Sequence, residues 1–206
     1  MESVRKLRAA ALADLEGDRP GPKSPNTLIL IDLLIGTGGR IGELTALKVG
    51  DFDPKAGTLL IGAHVSREQY TEVYVKGRKA GVVDQLVYLP APAIASLKAH
   101  VAGRGPEEFI LASQSGGMCQ TNNLRRSLRR LEKLAGVERF SPHVFRRTVG
   151  TTVANGLDSA AMAAAQLGNT EEVARAHYIK AKNTGPKEAA ALLEGFYEPP
   201  TPEPEE

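Results

Sequence analysis

This sequence predicts a mainly helical α+β domain with a small three-stranded antiparallel sheet, on three observations. Over most of the chain apolar residues recur at spacings near three, four and seven, as in Ile31, Leu34, Ile41, Leu44 and Leu47. That is the period of helices with one buried face. Between residues 58 and 89 the pattern changes to short runs rich in Val, Ile, Leu, Thr and Tyr with turn residues between them, as strands joined by hairpins require. Beyond Pro90, Gly, Pro and Asn punctuate the chain at helix-length intervals, so it turns helical again.

Taken in order, residues 1–24 read as a short helix followed by a Pro/Gly-rich linker. The main domain spans 25–197. Asn26 opens an apolar-rich segment that runs past Thr37-Gly38-Gly39 to Leu47, two helices broken at Gly36, Gly38 and Gly39, where a flexible backbone is available. Strands are expected at Thr58 to Val65, Tyr70 to Lys79 and Gln85 to Leu89. Helices follow at Pro92 to Ala102, Thr121 to Ala135, Pro142 to Asn155, Ser159 to Leu167, Thr170 to Lys180 and Lys187 to Phe196. Ser141-Pro142 is a start signal: the hydroxyl can cap free N–H groups, and proline suits a first turn that needs no donor. The tail 198–206 is acidic and Pro-rich, with almost nothing to bury, and is expected to be disordered. No internal repeat is present.

With 206 residues the chain can bury one core without a disulfide or metal staple. Its single cysteine, Cys119, excludes an intramolecular disulfide and fits a reducing cytoplasm. The longest apolar run, near Leu28 to Ile35, is interrupted by Asp32 and falls well short of the roughly 20 residues that span a bilayer. The first 25 residues carry charges of both signs and no apolar stretch, unlike a signal peptide. A soluble cytoplasmic protein with no membrane partner is the expectation.

The formal net charge is +2, and without the four acids of the tail it is +6. Between Asn122 and Arg147 there are eight Arg or Lys against two Glu. A solvated helix face would look similar, but the excess suits a polyanion, because each cation placed at a phosphate releases condensed counterions.

Three stretches carry the chemistry. In His143-Val144-Phe145-Arg146-Arg147-Thr148, His143 stands three and four residues before the arginines, so one helix face offers a histidine and an arginine to the same anion. Arg40 follows Thr-Gly-Gly and precedes Glu43 by about one turn, which lets Glu43 orient it. Guanidinium suits phosphate because its planar fork donates two parallel bonds and stays charged. The third stretch, LGNTEEVARAHY, runs from Leu167 to Tyr178 with Asn169 inside it. A basic helix, a surface arginine and a packing tyrosine explain each stretch taken alone. His64, His100 and His177 lack metal-ligand spacing, Gly36 to Gly39 lacks the Lys-Ser/Thr of a phosphate loop, and no motif marks Cys119 as a nucleophile.

In this order and spacing the three stretches resemble the boxes of the tyrosine recombinase, or phage integrase, family. TGGRIGELTALKVGDFD resembles its first arginine box, HVFRRT its histidine-x-x-arginine box, and LGNTEEVARAHY the box ending in the nucleophilic tyrosine. The resemblance covers most of the chain and implies the family's catalytic-domain fold. It implies that Arg40 and Arg146 clamp a scissile phosphate, His143 assists proton transfer or holds a phosphate oxygen, and Tyr178 attacks phosphorus to leave a 3'-phosphotyrosine and a 5'-hydroxyl. No metal or cofactor is implied. The family's lysine falls on Lys79 when counted back from Val87-Tyr88-Leu89-Pro90, while the Lys-Gly pair at Lys76 resembles another form of that turn; Lys79 is preferred. Asn169 departs from the family, which has histidine or tryptophan there: an amide donates a hydrogen bond but carries no charge.

The implied function is a site-specific DNA recombinase or integrase cutting and rejoining duplex DNA, with double-stranded DNA as partner, a homotetramer on DNA and DNA-bending accessory proteins. A noncatalytic DNA-binding remnant and type IB topoisomerase-like activity are the alternatives. The family's N-terminal clamp domain is not expected within this chain. Lys187 to Phe196, with its apolar stripe, is expected either to pass to a neighbouring protomer or to fold back on its own domain.

Overall fold

The computed structural model describes residues 1–17, 24–68, 72–77, 84–138, 140–157, 159–168 and 187–200. Helix α2 (Asn26–Thr37) is its axis: every residue from Thr27 to Thr37 is buried. A helix apolar all round is stable only when surrounded, and α2 is surrounded by α1 (Glu2–Glu16), α4 (Ala91–Val101), α5 (Thr121–Leu134), α6 (Pro142–Gly156) and α8 (Lys187–Glu194). Short α3 (Ile41–Ala46) follows it, and α7 (Ala160–Leu167) packs on α6. On α5 the period is plain, with Leu124, Leu128 and Leu131 buried and Arg125, Arg126 and Arg129 on the outer face.

The sheet has the expected size and a different membership. Strands β1 (Phe52–Asp53), β2 (Thr58–Ile61) and β5 (Gln85–Tyr88) form one antiparallel sheet in the order β1-β2-β5, with Leu59 opposite Phe52 on one side and Val87 on the other. β3 (Ala63–Glu68) and β4 (Glu72–Gly77) form a separate hairpin with His64 opposite Lys76. The expected strand Thr58 to Val65 is therefore two strands, parted at Gly62. A Cβ there would lie 2.9 Å from the Asp84 carboxylate, so any larger residue would have to displace that side chain. The expected middle strand pairs with β3 alone, and its ends at Tyr70 and Lys79 lie outside the described residues, as does the expected helix Thr170 to Lys180.

Most helices lie within about one residue of expectation. Ser141 is the residue before α6, but its hydroxyl makes no cap hydrogen bond; its carbonyl instead accepts from the Val144 and Phe145 amides at 2.8 and 3.2 Å. α8 folds back on its own domain, with Ala189, Leu193 and the following Phe196 in the core. α1 is also part of this body, burying Val4, Leu7 and Ala11. Among the described residues no helix is long and apolar enough to cross a membrane.

One polar knot ties both ends of the chain to α2. Asp32 is fully buried in mid-helix, and Arg8 of α1 donates from Nε to its Oδ1 at 2.7 Å. The Arg8 guanidinium lies 4.4 Å from the centre of the Tyr197 ring, whose hydroxyl donates to the Asp32 carbonyl at 3.1 Å. Arg5 donates to the Gly195 carbonyl and to Glu198, each at 2.5 Å. Burial pushes the Asp32 carboxyl above its ordinary value, with Arg8 opposing. A raised acid favours the folded state below its ordinary range and withdraws that support as pH climbs through the raised value. Arg8→Ala leaves a buried carboxylate uncompensated and is expected to cost roughly 3 kcal/mol in urea unfolding near neutral pH. Asp32→Asn in the same chain should recover part of that loss, most visibly at the higher pH.

Candidate active site

The break between α2 and α3 builds the first wall of a cleft. Gly38 ends α2 in the left-handed region at φ 65° and returns its N–H to the Leu34 carbonyl. The Thr37 hydroxyl donates to the Leu33 carbonyl at 2.7 Å and accepts from the Gly39 amide at 2.8 Å. Arg40 is then the residue before α3. Glu43, one turn on, accepts from the Arg40 amide at 2.8 Å and from its Nη1 at 3.0 Å, so one carboxylate both starts the helix and aims the guanidinium. About half of the Arg40 side chain stays exposed.

Arg146, on α6, is fixed differently. Its Nη1 donates to the Gly38 carbonyl at 2.9 Å and its Nη2 to the Leu167 carbonyl at 2.8 Å. These carbonyls belong to the ends of α2 and α7, each closed by a left-handed glycine, Gly38 and Gly168. Both are negative ends of helix dipoles, where a cation is favoured. Burial first, and then the Arg40 charge, pull Arg146 below its ordinary value while Glu43 opposes; guanidinium remains charged throughout the working range.

Other buried amides brace this joint. Gln85 of β5 donates to the Ala165 and Gln166 carbonyls at 3.2 and 2.7 Å, and Gln166 donates to the Gly36 carbonyl at 3.1 Å. Ahead of α6, Phe140 meets Phe145 edge-on at 4.8 Å, which seats the approach to His143.

The result is one cleft of about 620 Å³ lined by Arg40 and Glu43 of α3, Arg125, Arg129 and Glu132 of α5, His143 and Arg146 of α6, and His64 at the start of β3. Four guanidinium groups face two carboxylates. Glu43 is engaged by Arg40, and Glu132, raised chiefly by burial, is partly countered by Arg129. The first turn of α6 adds the positive end of its dipole. This is a setting for an anion with several oxygens.

Of the residues expected from sequence, Arg40, His143 and Arg146 share this cleft, and His143 is exposed in it. Lys79, Asn169 and Tyr178 lie outside the described residues, and the alternative Lys76 is placed by its backbone in β4. His64, which lacks metal-ligand spacing, lines the cleft from the start of β3. Cys119 is half-buried away from the cleft, its thiol pushed up by burial.

Comparison with known proteins follows the same stretches. The model of the phage integrase family matches residues 5–183. The chain belongs to this family. A tyrosine recombinase XerC of Bacillus licheniformis is 30% identical over 140 residues, covering 67% of this chain and 43% of that protein. A tyrosine recombinase XerC of Bifidobacterium longum subsp. infantis is 21% identical over 156 residues, covering 75% and 43%. The chain thus spans less than half the length of these relatives. Among solved structures, XerA recombinase superposes with a TM-score of 0.63 at 21% identity, covering 96% of this chain and 63% of that one. The lambda integrase catalytic core gives 0.54 at 19% identity, covering 82% and 92%. The fold is therefore that of a tyrosine recombinase catalytic domain.

Gly38 is a position at which this joint admits no side chain without strain. A Cβ there would meet Leu167 Cδ2 at 2.5 Å and Val149 Cγ1 at 3.1 Å, and φ disfavours any L side chain. Gly38→Ala is expected to cost roughly 2 kcal/mol or more in thermal unfolding, because strain and overpacking act together on the carbonyl that holds Arg146.

Proposed function

We propose that this chain is the catalytic part of a site-specific DNA recombinase or integrase, cutting and rejoining duplex DNA through a 3'-phosphotyrosine. The observation that carries the reading is the cleft in which Arg40 and Arg146, from helices far apart in sequence, lie with His143 in a family member. Arg40 and Arg146 hold the nonbridging oxygens, where fixed guanidinium groups stabilise charge that builds up in the pentacovalent transition state. Tyr178 is the nucleophile: its oxygen bonds to phosphorus as the bond to the 5'-oxygen breaks, and the 5'-oxygen leaves with a proton. Lys79 is the candidate donor of that proton, and His143 assists by taking up the proton that the tyrosine hydroxyl gives up. Phosphodiester energy is kept in the covalent intermediate, so the reaction calls for no nucleotide cofactor.

The partner is double-stranded DNA. Related solved structures include the Tn1549 transposon integrase in complex with a circular intermediate DNA and lambda integrase bound to a core site. The excess of basic residues on α5 and α6 suits the same partner. A homotetramer on DNA, bending proteins and a cytoplasmic location complete the proposal. α8, folded on its own domain here, would stay there or pass to a neighbour when protomers assemble.

Two experiments test it. The protein incubated with nicked, end-labelled DNA from the junctions of its own genetic element should form a denaturation-resistant covalent adduct that Tyr178→Phe abolishes. DNA binding with no adduct in the native chain favours a noncatalytic module, the reading that Asn169 recommends. Relaxation of supercoiled plasmid without recombinants favours topoisomerase activity. Separately, Asn169→His is expected to keep or raise the yield of adduct on the same substrate; a large fall would show that the amide itself is required.

A further inference from the structure

His64 is a cleft residue to which none of the sequence motifs assigns a role. It stands two residues beyond the bend at Gly62, at the start of β3, and β3 packs on α3, the helix that Arg40 begins. That packing turns the ring into the cleft beside Arg40, His143 and Arg146, where it is half-buried. Among the described residues it makes no hydrogen bond or ion pair. A polar ring packed for structural reasons usually spends a nitrogen on a carbonyl, as His100 does on Ile110 at 2.8 Å. The charged and titratable groups that line the cleft with His64 are the guanidinium groups of Arg40, Arg125, Arg129 and Arg146, the carboxylates of Glu43 and Glu132, and the ring of His143; across the hairpin its register partner is Lys76. An imidazole in such surroundings has one kind of complement, an anionic oxygen.

We propose that His64 is a substrate-contacting residue of this cleft, donating an imidazole N–H to an oxygen of the bound phosphodiester. The inference rests on the DNA-cleaving reading above and deepens it. An imidazole nitrogen donates in either neutral tautomer and from both nitrogens when charged, so His64 supplies an N–H donor in every form. Asn169 carries only a neutral amide, and His64 adds an imidazole donor from the start of β3.

The test compares native chain, His64→Ala and His64→Gln on nicked, end-labelled duplex. His64→Ala should lower the rate of adduct formation by about a hundredfold, the scale of one lost donor at developing charge. DNA affinity and the thermal midpoint should stay near the native values. His64→Gln, or imidazole added to His64→Ala, should restore part of the rate. An unchanged rate in His64→Ala overturns the proposal. So does a loss that tracks a lowered midpoint and yields to neither rescue, since that marks a packing role. If the native chain forms no adduct, the imidazole 15N resonances of His64, assigned with His64→Gln, are followed as duplex DNA is added. Movement then keeps the contact while the cleavage reading falls, and no movement overturns both.

Discussion

A single guanidinium joins the ends of two helices, and the geometry of the cleft depends on it. Arg146 spends two of its donors on the carbonyls of Gly38 and Leu167, which close α2 and α7 at left-handed glycines. Those carbonyls would otherwise be orphaned at helix ends. A cation there meets an unfilled hydrogen-bond requirement and the negative ends of two dipoles at once. Because the same residue also lines the cleft, the interaction that holds α2, α6 and α7 together sets the angle at which a charge is presented. Stability and the orientation of the site are one interaction here, so substitutions at the glycines act on function through structure.

A second joint, far from the cleft, ties the termini to the same central helix. Asp32 interrupts an otherwise apolar α2, an expensive placement unless the charge is paired and hydrogen-bonded. Arg8 comes from one end of the chain and Tyr197 from the other. Sequence reading took Asp32 only as a charge that breaks an apolar run. Its effect is to require α1 and the turn after α8 to close on α2 together, so the first and last helices complete the core.

The helices were legible because their signals are local. α5 announces itself by leucines at positions 124, 128 and 131 against arginines between them, and the glycines after α2 mark its end as clearly as any cap. The strands were less so, because pairing depends on contacts distant in sequence. Nothing local distinguishes a strand running through Gly62 from one that breaks there; the decision lies in pairing, since β2 pairs with β1 and β5 while β3 pairs with β4. The same limit applied to the site. Arg40, His143 and Arg146 were readable as stretches with chemical character, while the carbonyl partners of Arg146 and the entry of His64 followed from packing. Spacing along the chain had argued only against a metal at His64, and an anion makes no such demand on spacing.

The two arginines divide one task. Arg146 is held from behind by backbone carbonyls and surrounded by protein, so its fork has little freedom left to lose. Arg40 is half exposed and aimed by Glu43, so it meets a ligand from the solvent side of the cleft. Burial first, and then the Arg40 charge, pull Arg146 below its ordinary value, and Glu43 opposes them. Two like charges held close cost free energy that folding must supply elsewhere. In the proposed reaction, a phosphate entering between them would convert that repulsion into attraction on both sides. A phosphorane, carrying more negative charge than the diester, would gain more from the same arrangement. The electrostatic cost of holding the two arginines close would then become stronger binding of the transition state than of the ground state, which is the condition for rate acceleration.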